Sequence, residues 1–403
     1  VIKWLPEFRL SDPWVTENIT LQDLLSHRMG LGRFQGDFMF FDTDFTKDDF
    51  YTILEQLELK NGFRKYGYSN IGYYLIGETI ERVSGNKLSD QLAQDIFIPL
   101  DMSNTLSLPS EFTGVGNRAE PHTLQKGKVV PRRMGDMELM AASGGISSSV
   151  SDLSHWLLAQ LDSGRWNNHT VLPNEVLQMV RKPQILIGRS GAPYTLFNSS
   201  NLENYASGWY NLDYQATEII THNGGGYGFT SSITLIPELQ LGIAILTNSD
   251  AHLLFDALKI EIIDAYLGLP FRNYSKMAQR FYQFQEQQQQ QQMEQLKQQV
   301  LSAPQSKIPL THYAGKYEND LYGDITISLK NVGLHMQFEH HDSLEAKMEF
   351  LEEGKFLTTY NQDIYGTVVI PFEMENNQIK RLLISVDDNV EPHSYYFERL
   401  EDR

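Results

Sequence analysis

The sequence predicts an α+β domain, an antiparallel sheet covered by helices, followed by a small all-β domain. Three observations carry this expectation. Apolar residues recur at helical spacing through the first part of the chain. The pattern then changes to period two in three consecutive runs, "TEIITHN", "FTSSITLIP" and "LGIAILTNS", whose short joins impose antiparallel pairing. Beyond a Gln-rich stretch, from about Leu310 to Leu400, short alternating runs return, as in a small barrel or sandwich.

The 403 residues exceed one ordinary core, so two domains are expected. The reading places the α+β domain at 1–273, a Gln-rich linker helix with six glutamines at 287–292 across 274–303, and the small antiparallel barrel at 304–403. A formal net charge of -18 argues against nucleic acid and anionic membrane surfaces, which need a basic footprint. The absence of cysteine excludes disulfides, thiolate nucleophiles and Cys-ligated zinc. No apolar run is long enough to span a bilayer. Val1 is not a start methionine and "VIKWLPEF" reads like the middle of a domain, so a preceding segment carrying any targeting signal is expected.

Each element has its own signal. In "ITLQDLLSHRMGLG" Thr20 is the expected N-cap, Asp23 its capping-box partner and Gly30 the stop. A loop-rich stretch follows through Phe38 to Phe45. In "FRKYGYSNIGYYLIGETIERVSG" a helix is expected from Ile76, Ile80 and Val83, with Ser69 or Asn70 as N-cap and Gly85 as stop. "SDQLAQDIFIPLDM" reads as a helix stopped by Pro99, and "SSSVSDLSHWLLAQLDSG" as an amphipathic helix with Leu153, Trp156, Leu157 and Leu161 on one side. "AHLLFDALKIEIIDAYLG" follows the strand meander as a covering helix. Six strands are expected after the Gln-rich stretch: "GKYEND", "DITISLK", "LHMQFEH", "KFLTTY", "TVVIPFEM" and "RLLISVD".

Several chemistries are missing. There is no G-x-S-x-G, no H-E-x-x-H and no P-loop. His340-His341-Asp342 reads as a polar hairpin loop, because no third ligand stands at metal-ligand spacing. Two stretches remain. Tyr68-Ser69-Asn70 stands at the mouth of a helix, where the plain reading is an aromatic loop and cap. His222-Asn223-Gly224-Gly225 ends a strand. Its glycines let backbone approach a ligand and its free N–H groups can serve an oxyanion, or it is a Gly-rich hairpin with an incidental histidine.

A Tyr-x-Asn before a helix and a later His-x-Gly on a strand, in that order, resemble the serine β-lactamase and penicillin-binding-protein superfamily. The likeness is to its class C-like branch, with its D-aminopeptidases, D,D-carboxypeptidases and esterases. "VIKWLPEFRLSDPWVTENITLQDLLSHRMGL" and "MAASGGISSSVSDLSHWL" are similar to that branch as well, and the resemblance covers about Val1 to Gly268. It implies a β-lactamase/transpeptidase-like fold and a serine hydrolase acting on an amide or ester, a D-amino-acid peptide or small ester, through an acyl-enzyme. Tyr68 would activate the serine and pass its proton to the leaving group, Asn70 would bind substrate, and His222, Asn223 and Gly224 would match the third motif. The N–H of Gly225 is the candidate oxyanion donor. Neither metal nor cofactor is implied; the partner is a small-molecule or peptide substrate, and the location is exported. The S-x-x-K nucleophile motif is expected upstream of residue 1, since Ser84 to Lys87, the one S-x-x-K present, reads as an interhelical turn. The competing reading is a non-catalytic module that binds peptide or cell-wall fragments.

Overall fold

The three period-two runs form one half of a six-stranded antiparallel sheet. Its order is Leu241–Thr247, Phe229–Ile236, Thr217–Gly226, Tyr210–Tyr214, Glu203–Tyr205 and Ile185–Gly188. The computed structural model describes residues 1–125, 127–188, 202–250, 252–330, 333–376 and 378–400. Two tight turns set the register. Tyr214 pairs with Thr217 across Gln215-Ala216, and Gly226 pairs with Phe229 across Tyr227-Gly228. All four turn residues have positive φ, as a two-residue hairpin of primed type requires. The strand therefore runs through the glycines to Gly226, and the turn is shorter than the whole Gly-rich run.

Helices cover both faces of the sheet. Leu254–Tyr266 packs Phe255, Ile260 and Ile263 against Ile219, Ile236, Ile243 and Ile245. On the other face Leu157, from helix Val150–Leu161, meets Ile220, Leu235 and Trp209. Removing a fully buried side chain such as Leu235 from water stabilises by roughly 1.5–3 kcal/mol.

Helix Leu21–Leu25, which follows a short helix Pro13–Asn18, begins as its capping box demands: Thr20 accepts from the Asp23 N–H, and Asp23 accepts from the Thr20 N–H. It ends at Leu25, well short of Gly30, and His27 just beyond takes a left-handed conformation (φ 54°) that turns the chain. The loop-rich stretch runs into a helix absent from the sequence reading, Lys47–Gln56, opened by a Thr46–Asp49 capping box.

The Tyr68 helix spans Asn70–Ser84 and stops at Gly85 in the left-handed region. Its core face differs from expectation. Ile71, Tyr74 and Leu75 are buried, whereas Val83 is 60% exposed. Ser69 occupies the N-cap position without a side-chain cap bond, and its hydroxyl is buried.

One continuous helix, Tyr274–Ser302, carries the Gln-rich segment. The C-terminal strands close into an eight-stranded barrel, Gly315–Asn319 pairing with Tyr395–Arg399. The sequence reading identified six of these strands and missed Glu345–Glu352 and Tyr395–Arg399. A single apolar cluster runs from the N-terminal helices into the barrel. Among the described residues, no helix is long and apolar enough to cross a membrane.

Candidate active site

Tyr68 is placed by a close backbone approach. A Cβ on Gly67 would stand 1.9 Å from the Leu31 carbonyl oxygen, so glycine alone lets this segment lie against 27–31. The Gly67 N–H donates to the His27 carbonyl (3.0 Å). The Tyr68 ring then packs at a tilt on the His27 ring, with centroids 4.0 Å apart, and edge-on against Phe34 at 5.5 Å. His222 lies 6.1 Å from Tyr68, centroid to centroid. The fold thus brings together two residues far apart in sequence that the motifs singled out.

Two residues absent from the sequence reading complete the cluster. His27 is 1% exposed and Tyr205 fully buried; the His27 ring touches those of Tyr68 and Tyr205, and the Tyr205 ring touches that of His222. Their hydrogen bonds run one way. The Ser69 N–H donates to His27 Nδ1 (3.1 Å), so the His27 proton sits on Nε2, which donates to the Tyr205 hydroxyl (3.0 Å). The Asn223 carbonyl can only accept, so His222 carries its proton on Nδ1 (2.7 Å), and its bare Nε2 accepts from Tyr205 (3.2 Å). Both ring nitrogens of both histidines are therefore used.

Burial dominates the electrostatics. It lowers the His222 pKa, and the nearby Lys259 lowers it further, so this histidine is neutral at pH 7. Burial, then the neighbouring His222, pushes His27 down to about 3. Tyr68 is pushed up, first by burial and then by Tyr210, Tyr73 and Asp37, so it is a neutral phenol and a proton donor.

The low His27 pKa has a consequence for stability. The unfolded chain takes up a proton at the ordinary 6.5 that the folded chain refuses until about 3. Stability from this group is complete above the first value and lost as pH falls through the window. Urea titrations are expected to show wild-type stability falling by about 1.4 kcal/mol per pH unit more steeply than His27→Gln, between about pH 6 and about pH 4. Equal slopes would contradict a neutral, buried His27. Asp37 and Glu391, both raised by burial, act in the opposite sense in wild type and variant alike.

Asn70 and Asn223 face inward. The Asn70 amide donates to Asp37 Oδ2 (2.5 Å), and Asn70 is 9% exposed. The Asn223 amide donates to Asp256 (3.2 Å), while Lys259 donates to Asp256 (2.7 Å) and to Asn223 Oδ1 (3.3 Å). The Asn223 side chain thus anchors the strand to the helix behind it.

The glycines are differently placed. Pairing with Tyr210–Tyr214 ends at Thr221, so the strand overhangs from His222 onward. N–H groups alternate sides along an antiparallel strand, and both closing pairs, Tyr214–Thr217 and Gly226–Phe229, bond to each other. By that count the N–H groups of Asn223 and Gly225 point away from Phe229–Ile236, toward the overhang, and Gly225 is exposed. Gly224 points toward its Ser231 partner.

Ser84 lies at the far end of the Tyr68 helix, fifteen residues or roughly 22 Å along. His340 and His341 do lie in a hairpin loop, but His341 is fully buried, stacked on Phe38 of the first domain. Among the described residues, no three His, Cys, Asp or Glu side chains group to hold a metal.

The fold is β-lactamase-like, with a closed eight-stranded barrel appended. The chain belongs to the β-lactamase family, whose profile matches residues 1–266. A domain of unknown function, DUF3471, matches residues 299–399. Unguisins hydrolase ungD of Aspergillus violaceofuscus is 26% identical over 399 residues, which cover 91% of this chain and 69% of that protein. Protein flp of Staphylococcus aureus is 24% identical over 303 residues, covering 71% of this chain and 54% of flp. The octameric penicillin-binding protein homologue from Pyrococcus abyssi superposes with a TM-score of 0.53 at 18% identity, over 98% of this chain and 84% of that one. A D-stereospecific amidohydrolase from Streptomyces sp. gives 0.52 at 21% identity, over 66% of this chain and 77% of that one.

Proposed function

We propose that this protein is a serine hydrolase that cleaves an amide or ester through an acyl-enzyme. The observation that carries the proposal is the juxtaposition of a neutral, largely buried Tyr68 phenol with the His222 strand, whose overhanging edge offers the Gly225 N–H. In this reading the serine oxygen attacks the substrate carbonyl, and the resulting oxyanion takes a hydrogen bond from Gly225. The serine proton passes to Tyr68 as the Tyr68 proton passes to the leaving nitrogen or oxygen. The phenol is neutral before and after, which suits a hydroxyl whose pKa burial has raised. Water then hydrolyses the acyl-enzyme. His222 and Asn70 position the site from behind. The name of the Aspergillus relatives, unguisins hydrolase, favours a hydrolytic reading. A D-amino-acid peptide or small ester is the substrate class proposed, in an exported protein.

A second reading has its own support. The ring nitrogens of His222 and the amide of Asn70 are all engaged within the protein, as in a module that binds without turnover. Fluorophosphonate labelling of the protein from its native source, with peptide mapping, separates the two. A label is expected on a serine other than Ser69, whose hydroxyl is buried, and Ser84, at the wrong end of its helix. A folded protein that takes no label is the binding module.

A further inference from the structure

The segment 32–38 lies between the barrel and the Tyr68-Ser69-Asn70 triplet and touches both. On the barrel side Glu391, 1% exposed, stands in the connection between the last two strands. Its carboxylate accepts from the Gly36 N–H (2.7 Å), the Phe38 N–H (3.2 Å) and the hydroxyls of Tyr322 (2.7 Å) and Tyr395. His393 donates to the Arg33 carbonyl (3.1 Å), and its ring leaves no room for a Cβ on Gly32, which would stand 2.6 Å away. Phe38 closes the barrel mouth. Its ring lies parallel to His341 at 4.1 Å and edge-on to Tyr322, Phe338 and Tyr365. The residual void there is about 10 Å³, too little for a ligand.

On the other side the same segment holds the site. The Phe34 N–H donates to the Tyr68 carbonyl (2.8 Å), the Phe34 ring packs on the Tyr68 ring, and Asp37 takes the Asn70 amide. We infer that Glu391 is a positioning residue, through which the barrel, a domain of unknown function, fixes segment 32–38 and with it Tyr68 and Asn70. Two backbone N–H groups a residue apart are both tied to one carboxylate, so the turn between them has a single position. Asp37 is the residue between them.

Residue-resolved hydrogen exchange tests this without relying on catalysis. Glu391→Gln keeps the shape and puts an amide nitrogen where one of the two backbone donors needs an acceptor. Faster exchange at Gly36 and Phe38 follows from any role for Glu391. The inference requires about tenfold faster exchange also at Phe34, bonded to Tyr68, and at Ser69, bonded to His27. Leu382→Ala, in the barrel interior, serves as the control and leaves those two amides unchanged under folding conditions. An effect confined to Gly36 and Phe38, or an equal effect in Leu382→Ala, overturns the inference. Should Glu391→Gln fail to fold, Tyr395→Phe, which removes one hydroxyl bond to Glu391, is expected to move the same amides in the same direction; unchanged amides there overturn it too.

The kinetic consequence rests on the hydrolase reading: Glu391→Gln slows fluorophosphonate labelling about tenfold, the exchange factor carried to the site. A wild type that does not label defeats that reading alone, and the exchange data still decide the role of Glu391.

Discussion

In the hydrolase proposed above, replacing Tyr68 by Phe is expected to reduce turnover by about 10²- to 10⁴-fold, the usual contribution of a positioned proton donor. The ring is kept, and with it the contact with His27 and the edge contact with Phe34. Among the described residues the Tyr68 hydroxyl has no hydrogen-bond partner, so unfolding free energy should change by less than about 1 kcal/mol. Kinetics on a probe ester, alongside urea denaturation, separate the two quantities. Wild-type turnover in Tyr68→Phe would remove the phenol from the mechanism.

Lys259→Met is the largest stability effect expected. Lys259 is 1% exposed and Asp256 2%, and the pair is 2.7 Å apart. Removing the cation strands a carboxylate in the interior, at a cost of about 3–5 kcal/mol. The double variant Lys259→Met/Asp256→Leu should recover much of that, because an apolar pair of similar volume needs no compensating charge. The effect reaches the candidate site. Burial is the main cause of the low His222 pKa, but Lys259 adds to it. The His222 ring resonances should titrate at higher pH in Lys259→Met than in wild type. A loss under about 1 kcal/mol would mean that the pair is not desolvated as its burial indicates.

Where one residue type performs a local task, the sequence was easy to read. The Thr20–Asp23 box and the stop at Gly85 follow from the first and last turns of a helix, and the three long strands follow from their alternation. Strand Glu345–Glu352 was missed because its outward positions are Glu and Lys, which favour helix over strand in isolation, while Ala346 and Met348 face the barrel interior. Strands Glu203–Tyr205 and Tyr210–Tyr214 are too short and polar to announce themselves. The face of the Tyr68 helix was misread because Ile76, Ile80 and Val83 keep helical spacing as well as Ile71 and Leu75 do; the neighbours decide which stripe is buried.

Tyr68 and His222 were found through a resemblance in motif order. His27 and Tyr205 carried no local signal. They matter through hydrogen bonds to each other and to His222, and the His27–Tyr205 bond spans 178 residues of sequence. Asp37 and Glu391 are more distant still, since the Gly36–Glu391 bond closes over 355 residues. Such pairings are properties of the folded chain, and no window along a single sequence contains them.

That last separation has a biosynthetic meaning. On a ribosome adding about 5–20 residues per second, Phe38 emerges about 20 to 70 s before the barrel strands that will enclose it. Until then Phe38, in the 37–40 turn, stays without its final contacts, the kind of apolar surface that chaperones bind and that favours aggregation. The two backbone hydrogen bonds that tie segment 32–38 to the barrel, from Gly36 and Phe38 to Glu391, can form only after residue 391 has been added.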